Sequence, residues 1–158
     1  MKVKAITLWE PWATAMRLML KKIETRHWQT GYRGPLAIHA AARLIDPPEK
    51  LPKELVEEIR AYDLVEKCRY GHVLCIVDLY DIRRTDHIVK SLSRGGTFAH
   101  PEFPWGNYSP CRFGWMTRKC FPLEKPIPAA GRQGLWTWDA PAELDPVINA
   151  MVAEAMIT

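Results

Sequence analysis

The chain of 158 residues has no apolar run near the length of a membrane span, no internal repeat and no low-complexity stretch. A spanning helix and a solenoid are thereby excluded. Its first residues, MKVKAITLW, contain two lysines but no extended apolar core and no small-residue cleavage site. A secretory leader is not expected, and the cytoplasm is the expected location. None of the four cysteines forms a close C-x-x-C pair. Cys68, His72 and Cys75 lie within eight residues, with His87 further on, but structural zinc sites show tighter paired spacing. Cys75 also sits in an apolar, strand-like run where a core thiol is expected. No metal and no cofactor are expected. Carboxylates are scarce where tryptophan is abundant. Residues 1–45 hold eight Lys/Arg against two Asp/Glu, whereas residues 139–158 hold four acids and no Lys or Arg. The formal net charge of +4 hides that segregation.

The stretch from Thr7 to Ala40 combines Trp9, Trp12 and Trp28 with five cations (Arg17, Lys21, Lys22, Arg26, Arg33) and only two carboxylates, Glu10 and Glu24. Burial of apolar surface does not require that mixture. A surface that meets a polyanion with flat rings does, since cations neutralise phosphates and aromatic faces stack on bases. Solubilising charge is the plain alternative for each cation taken singly.

Alternation marks strands over Lys2–Leu8 and Lys22–Trp28, Leu36–Ala40 reads as a third strand after the turn signals Thr30-Gly31 and Arg33-Gly34-Pro35, and Trp12–Leu20 has helical spacing behind Glu10-Pro11. Pro52–Val65 reads as an acidic amphipathic helix, His72–Ile82 as a long strand and Asp86–Leu92 as a short helix. Ser93–Pro110 reads as a long irregular loop, of the kind that usually carries function. Phe113–Pro122 and Gly134–Trp138 read as two more strands. Asp145-Pro146 opens a last helix with Val147, Ile148, Met151, Val152 and Met156 along one side. The sum is an α+β chain: a small mixed β-barrel with flanking helices over residues 1–140, and a C-terminal helix, residues 141–158. That helix packs on the body, on a second copy in a homodimer or on a protein partner.

The segments LWEPWA, KKIETR and YRGPLAIHAA, with the intervening tryptophan, resemble the ASCH domain family of the PUA-like superfamily. Pro11-Trp12-Ala13 matches the family's P-W-A; Lys21, Glu24 and Arg26 match its G-x-K-x-x-E-x-R. Trp28 and Arg33-Gly34 match the tryptophan and the R-G-x-L strand. NYSPCRFGW and GRQGLWTW look like the C-terminal strands of bacterial and phage members, so the resemblance spans residues 4–138. It implies a PUA-like barrel with a cleft between the first helix and the barrel mouth, and a role around RNA or DNA. Relatives include binding modules, ribonucleases and amidohydrolases acting on an acetylated cytidine base. Two positions depart from the pattern. Met19 stands where the family has glycine, and Glu24 stands where the amidohydrolase branch has a threonine nucleophile.

On this reading a nucleic-acid-binding surface consists of Trp9, Lys21, Glu24, Arg26, Trp28, Arg33, His39, Arg132 and Gln133, with RNA or DNA, single-stranded or with a flipped base, as the partner. Trp9 stacks, Lys21 and Arg26 meet phosphate or base oxygens, and Glu24 holds the cations or accepts from a base amine. Were the chain an enzyme, a metal-independent ribonuclease or a nucleobase amidohydrolase, Lys21 and Glu24 would be its catalytic pair. Structural readings stand beside these: a Lys21–Glu24 ion pair clamping helix to strand, an internal Arg26–Glu24 contact, and a satisfied core imidazole at His39. Tyr108 and Ser109 are candidate hydroxyls near the cleft. Arg83, Arg84, Arg94, Arg112, Arg118 and Lys119 are candidates for tracking a phosphate backbone.

Overall fold

A computed structural model describes residues 1–93 and 100–157; Arg94 and part of the expected long loop lie outside them. The alternating KVKAITL forms β1 (Lys2–Leu8). The chain then turns into α1 (Trp12–Arg17), where Pro11 takes the N-cap position and Trp12 is the first helical residue. The cap is supplied from one residue earlier. Buried Glu10 accepts the Thr14 N–H at 2.7 Å and the Thr14 hydroxyl at 2.5 Å, and also takes the Arg69 N–H at 3.1 Å. The helix ends sooner than its apolar spacing predicts. Leu20 N–H donates to Ala15 O at 3.0 Å and Met19 N–H to Met16 O at 3.1 Å, the bond pair of a Schellman cap. Met19 sits at the left-handed position of that cap with φ 62°.

The cap aims the chain into β2 (Ile23–Arg26), followed by β3 (Gly34–Ala40). The acidic helix is broken into α2 (Lys53–Ala61) and α3 (Leu64–Lys67), because Asp63 takes φ 53° between them. The long strand is β4 (His72–Arg84), which leads directly into α4 (Thr85–Leu92). A 3-10 turn at Phe103–Trp105 precedes β5 (Phe113–Pro128), which runs past its expected end at Pro122. Three register shifts against β4 accommodate the extra length. β6 (Trp136–Asp139) and α5 (Asp145–Ile157) complete the described chain.

Among the described residues, six strands form one mixed sheet in the order β2-β5-β4-β3-β1-β6, parallel only between β1 and β3. The sheet curls into a half-barrel with helices on both faces. One face carries Val3, Ala5, Ala37, Val73, Ile76, Trp136 and Trp138, covered by Ile148 and Met151 of α5. The other carries Ile6, Leu8, Leu36, Ile38, Leu74, Val77, Leu79 and Trp115, covered by Ala13 and Met16 of α1. Strand residues two apart share a face, as in Val3/Ala5 and Leu36/Ile38, while the register shift in β4 puts Val73 and Ile76, three apart, on one face. Val152, Met156 and Ile157 of α5 remain exposed. No helix among the described residues is long and apolar enough to cross a membrane.

A methionine in the left-handed region carries strain of about 1–2 kcal/mol that glycine does not, offset in part by the chain entropy glycine loses on folding. Met19 is half-exposed and buries little apolar surface there. Met19→Gly is therefore expected to raise the unfolding free energy by about 0.5–1 kcal/mol. Urea titration followed by far-UV circular dichroism checks this, and a lowered midpoint contradicts it.

Candidate functional site

A pocket of about 460 Å³ opens at the mouth of the half-barrel. β1 and the turn after it supply Thr7, Leu8 and Trp9; α1 supplies Trp12; β2 and its end supply Glu24, Thr25, Arg26 and His27. Pro52 and Leu55 close one side, and the 3-10 turn and the segment after it add Pro104, Trp105, Gly106, Asn107 and Arg112. A larger hollow shares Thr7, Trp9, Arg26 and His27 with it and continues to Trp28, His39, Arg132 and Gln133.

Among the described residues β2 pairs with β5 along one edge only, and residues 102–107 serve its other side. The buried Glu102 carboxylate accepts the Lys22 N–H and the Ile23 N–H at 3.0 and 2.9 Å. Asn107 N–H donates to Thr25 Oγ1 at 2.9 Å. Between these bonds, Lys21 Nζ donates to Ile23 O at 2.6 Å and to Trp105 O at 2.8 Å. Its side chain is 0% exposed and also pairs with Glu24 Oε1 at 3.1 Å. Two carbonyls and one carboxylate therefore surround the ammonium, enough acceptors for its three N–H groups. The Lys21–Glu24 pair does not look into the pocket together. Glu24 lines the wall, and Lys21 lies behind it, out of a ligand's reach.

Arg26 holds the other carboxylate oxygen, Nε to Glu24 Oε2 at 2.9 Å, and donates from Nη2 to Thr7 O at 2.9 Å. Three strands separate β2 from β1 in the sheet, so Arg26 spans the mouth of the curl. Trp9 is 52% exposed, and the Arg43 guanidinium stacks on its ring at 3.9 Å. That contact holds the indole in place and brings a cation to the pocket rim. Trp12 is half-buried on the wall; Trp105, 1% exposed, forms the floor.

The remaining expected site residues are dispersed. Trp28 packs edge-on against Trp115 at 4.9 Å and borders only the larger hollow. Arg33 lies outside both hollows, donating to Thr30 O and Tyr32 O and facing Asp81. The Tyr108 hydroxyl is buried beneath the pocket segment, and its pKa is raised, mainly by burial and further by Glu102 and Glu24. Ser109 turns to Asn107 Oδ1. His39 Nε2 faces Ala129 O at 2.7 Å and therefore donates. Its Nδ1 lies 3.2 Å from Thr7 Oγ1, which itself receives Trp136 Nε1–H at 3.1 Å. In the neutral imidazole, which the lowered pKa favours, Nδ1 accepts the Thr7 hydroxyl proton. Burial lowers the His39 pKa, against the Ala129 bond, which raises it. A Cβ on Gly131 would sit 2.6 Å from His39 Cε1, so the 129–134 loop approaches this network closely.

Trp105 and Asn107 join the pocket from the expected loop over Ser93–Pro110, so the sequence signal for them is loop length alone; Arg112, a candidate for tracking a phosphate backbone, joins it from just beyond that loop. Glu102 lies in the same loop, and Arg43 carries no such signal. Cys68 is buried, its thiol donating to Leu64 O, and no group of three metal-binding side chains occurs among the described residues.

The chain is similar in structure to crystallised ASCH from Zymomonas mobilis, with a TM-score of 0.53, 14% identity and 92% of this chain covered against 93% of that one. A tyrosine-to-phenylalanine mutant of that protein matches at 0.53 and 14%, covering 92% and 96%. A serine-to-alanine mutant matches at 0.53 and 14%, covering 93% and 94%. No protein-family model and no curated protein matches the chain. The likeness shows the fold: this chain carries the ASCH fold, in which a curled mixed sheet is flanked by helices.

Lys21→Met removes the ammonium and leaves two carbonyls and the inner Glu24 oxygen without their donor. A loss of about 3 kcal/mol in unfolding free energy is expected. Guanidinium titration measures it, and an unchanged midpoint contradicts the burial of this charge. At His39 the folded chain resists protonation, while the unfolded chain takes up its proton near the ordinary value of 6.5. The unfolded state therefore binds more protons below that pH, and stability falls as pH drops through that window. Thermal unfolding between pH 7.5 and 5 is expected to show a steeper loss in the native chain than in His39→Gln; equal slopes contradict the assignment.

Proposed function

We propose that this protein is a nucleic-acid-binding module that receives an unpaired nucleotide, of RNA foremost, in the pocket between α1 and the mouth of the half-barrel. One observation carries the reading. The pocket has base-sized volume, indole walls at Trp9 and Trp12, an indole floor at Trp105, and a carboxylate held in place at Glu24. Such a site stacks a flat ring and reads its edge. The ASCH fold and the motif resemblance support the same reading, as does the basic character of the segment that builds the pocket.

Trp9 presents the stacking face, and Glu24 and Arg26 meet the base. Lys21 acts as a positioning residue that fixes Glu24 and the 102–107 segment. Arg132 and Gln133, in the adjoining hollow, take the phosphate or sugar that follows, with Trp28 and His39 shaping that hollow. Arg33 contributes only to the surrounding field. Residues 1–140 form the binding module in this reading, with residues 141–158 as the helix closing one face, and the module works in the cytoplasm. A ribonuclease or amidohydrolase use of the same pocket would require Lys21 to leave two buried carbonyls to reach a substrate.

Titration with a single-stranded RNA of about ten nucleotides tests the proposal. Affinity is expected to fall linearly in log–log form with salt, the RNA is expected to stay intact without added metal, and Trp9→Ala is expected to weaken binding about tenfold, the scale of one lost stacked base. Binding indifferent to Trp9→Ala, or no binding at low salt, refutes the proposal; RNA cleaved without metal moves the pocket to the enzymatic reading.

A further inference from the structure

The pocket wall presents acceptors where the basic sequence leads one to expect donors. Lys21 spends its ammonium behind the wall, on Ile23 O, Trp105 O and Glu24 Oε1. Arg26 spends Nε on Glu24 Oε2 and Nη2 on Thr7 O. Glu24 is the single carboxylate among the described lining residues, and each of its oxygens is gripped by a different cation. A carboxylate offers about four acceptor positions. Two are taken here, which leaves one on each oxygen of a side chain that the two cations prevent from rotating. A ligand that satisfies both must carry two donors side by side on one flat edge.

Among the common bases only guanine does so in its neutral form, with N1–H beside the N2 amine. Adenine places its amine beside the N1 lone pair, and cytosine places its amine beside the N3 lone pair. Uracil offers one N–H between two carbonyls. Each of these three turns a lone pair toward one Glu24 oxygen.

We propose that Glu24 makes this pocket a guanine site, its two oxygens accepting N1–H and N2–H of the same base. The inference rests on the reading of the pocket as a base site and adds which base it selects. The guanine O6 then needs a donor. Arg112, which lines the same pocket, uses Nε on Asn107 O and Nη2 on Thr25 O. Among the described residues its Nη1 has no partner, and it is the donor assigned to O6. The indoles add no selectivity of their own beyond favouring the larger purine ring.

The test compares pentanucleotide RNAs of uridine whose central residue is G, inosine, 1-methylguanine, A, C or U, titrated into the wild-type protein. The G-containing strand is expected to bind about 10- to 100-fold more tightly than the A, C or U strands, the scale of one hydrogen bond to a charged group gained or lost. Inosine keeps N1–H and lacks the amine; 1-methylguanine keeps the amine and lacks N1–H. Each is expected to lose about tenfold or more relative to G. Glu24→Gln, which replaces one acceptor by a donor, is expected to level the series. Because that variant also loosens the clamp on Lys21, the inosine and 1-methylguanine arms, which need no mutation, decide if it is unstable. Strands that all bind within about twofold of one another, still weakened by Trp9→Ala, overturn the guanine assignment and leave the base-site reading standing. Strands that bind regardless of Trp9→Ala, or do not bind, overturn both.

Discussion

Taking an ammonium out of water costs several kcal/mol unless acceptors replace its hydration, and the mouth of this half-barrel is organised around one such group. Lys21 draws together the end of α1, the start of β2 and the backbone of Trp105. Glu102 makes the complementary connection, its carboxylate taking two N–H groups of the same stretch. A loop residue's carbonyl meets a helix-end lysine, and a loop carboxylate meets the strand's amides. The pair of contacts fixes an irregular segment against an otherwise unpaired strand edge. Trp105 becomes a rigid floor for that reason, and Glu24 gains a partner that holds it from behind.

The cations of the basic segment are largely occupied in holding the chain together. Lys21 and Arg26 clamp Glu24, and Arg17 donates to Leu123 O at 2.6 Å. The tryptophans divide similarly. Trp115, Trp136 and Trp138 are core, Trp28 packs on Trp115, and Trp9 alone among the described tryptophans is more exposed than buried. The donors that an approaching ligand meets are therefore fewer than residue counts suggest, and the chemistry left facing the pocket is more specific: one stacking face, one held carboxylate and the spare N–H groups of two guanidiniums.

Much of the fold was legible because it depends on local pattern. Alternation located β1, and short apolar runs bounded by turn residues located β3 and β4, which are buried on both faces over most of their length. The Asp145-Pro146 start located α5. The limits of legibility were also physical. The helix ended at Arg17 because a Schellman cap closes there with a methionine in the glycine conformation, which apolar spacing cannot reveal. Asp63 broke one helix into two by the same left-handed conformation. In the site, the contacts of Glu24 with Lys21 and Arg26 stood among the alternatives that motif and spacing left open, and Trp9 lies exposed at the strand-to-helix junction. The burial of Lys21 did not, because it depends on a carbonyl 84 residues away in sequence. Glu10 and Glu102 look like surface charges in the sequence and are buried backbone acceptors in the fold.

A crystal structure of the protein with a short single-stranded RNA tests the central claim most directly. The account predicts an unpaired base lying against Trp9, its edge within hydrogen-bond distance of both Glu24 oxygens, while the Lys21 ammonium keeps Ile23 O and Trp105 O and touches no ligand atom. A strand bound elsewhere on the surface, or a Lys21 that has left those carbonyls to meet a phosphate, would contradict it.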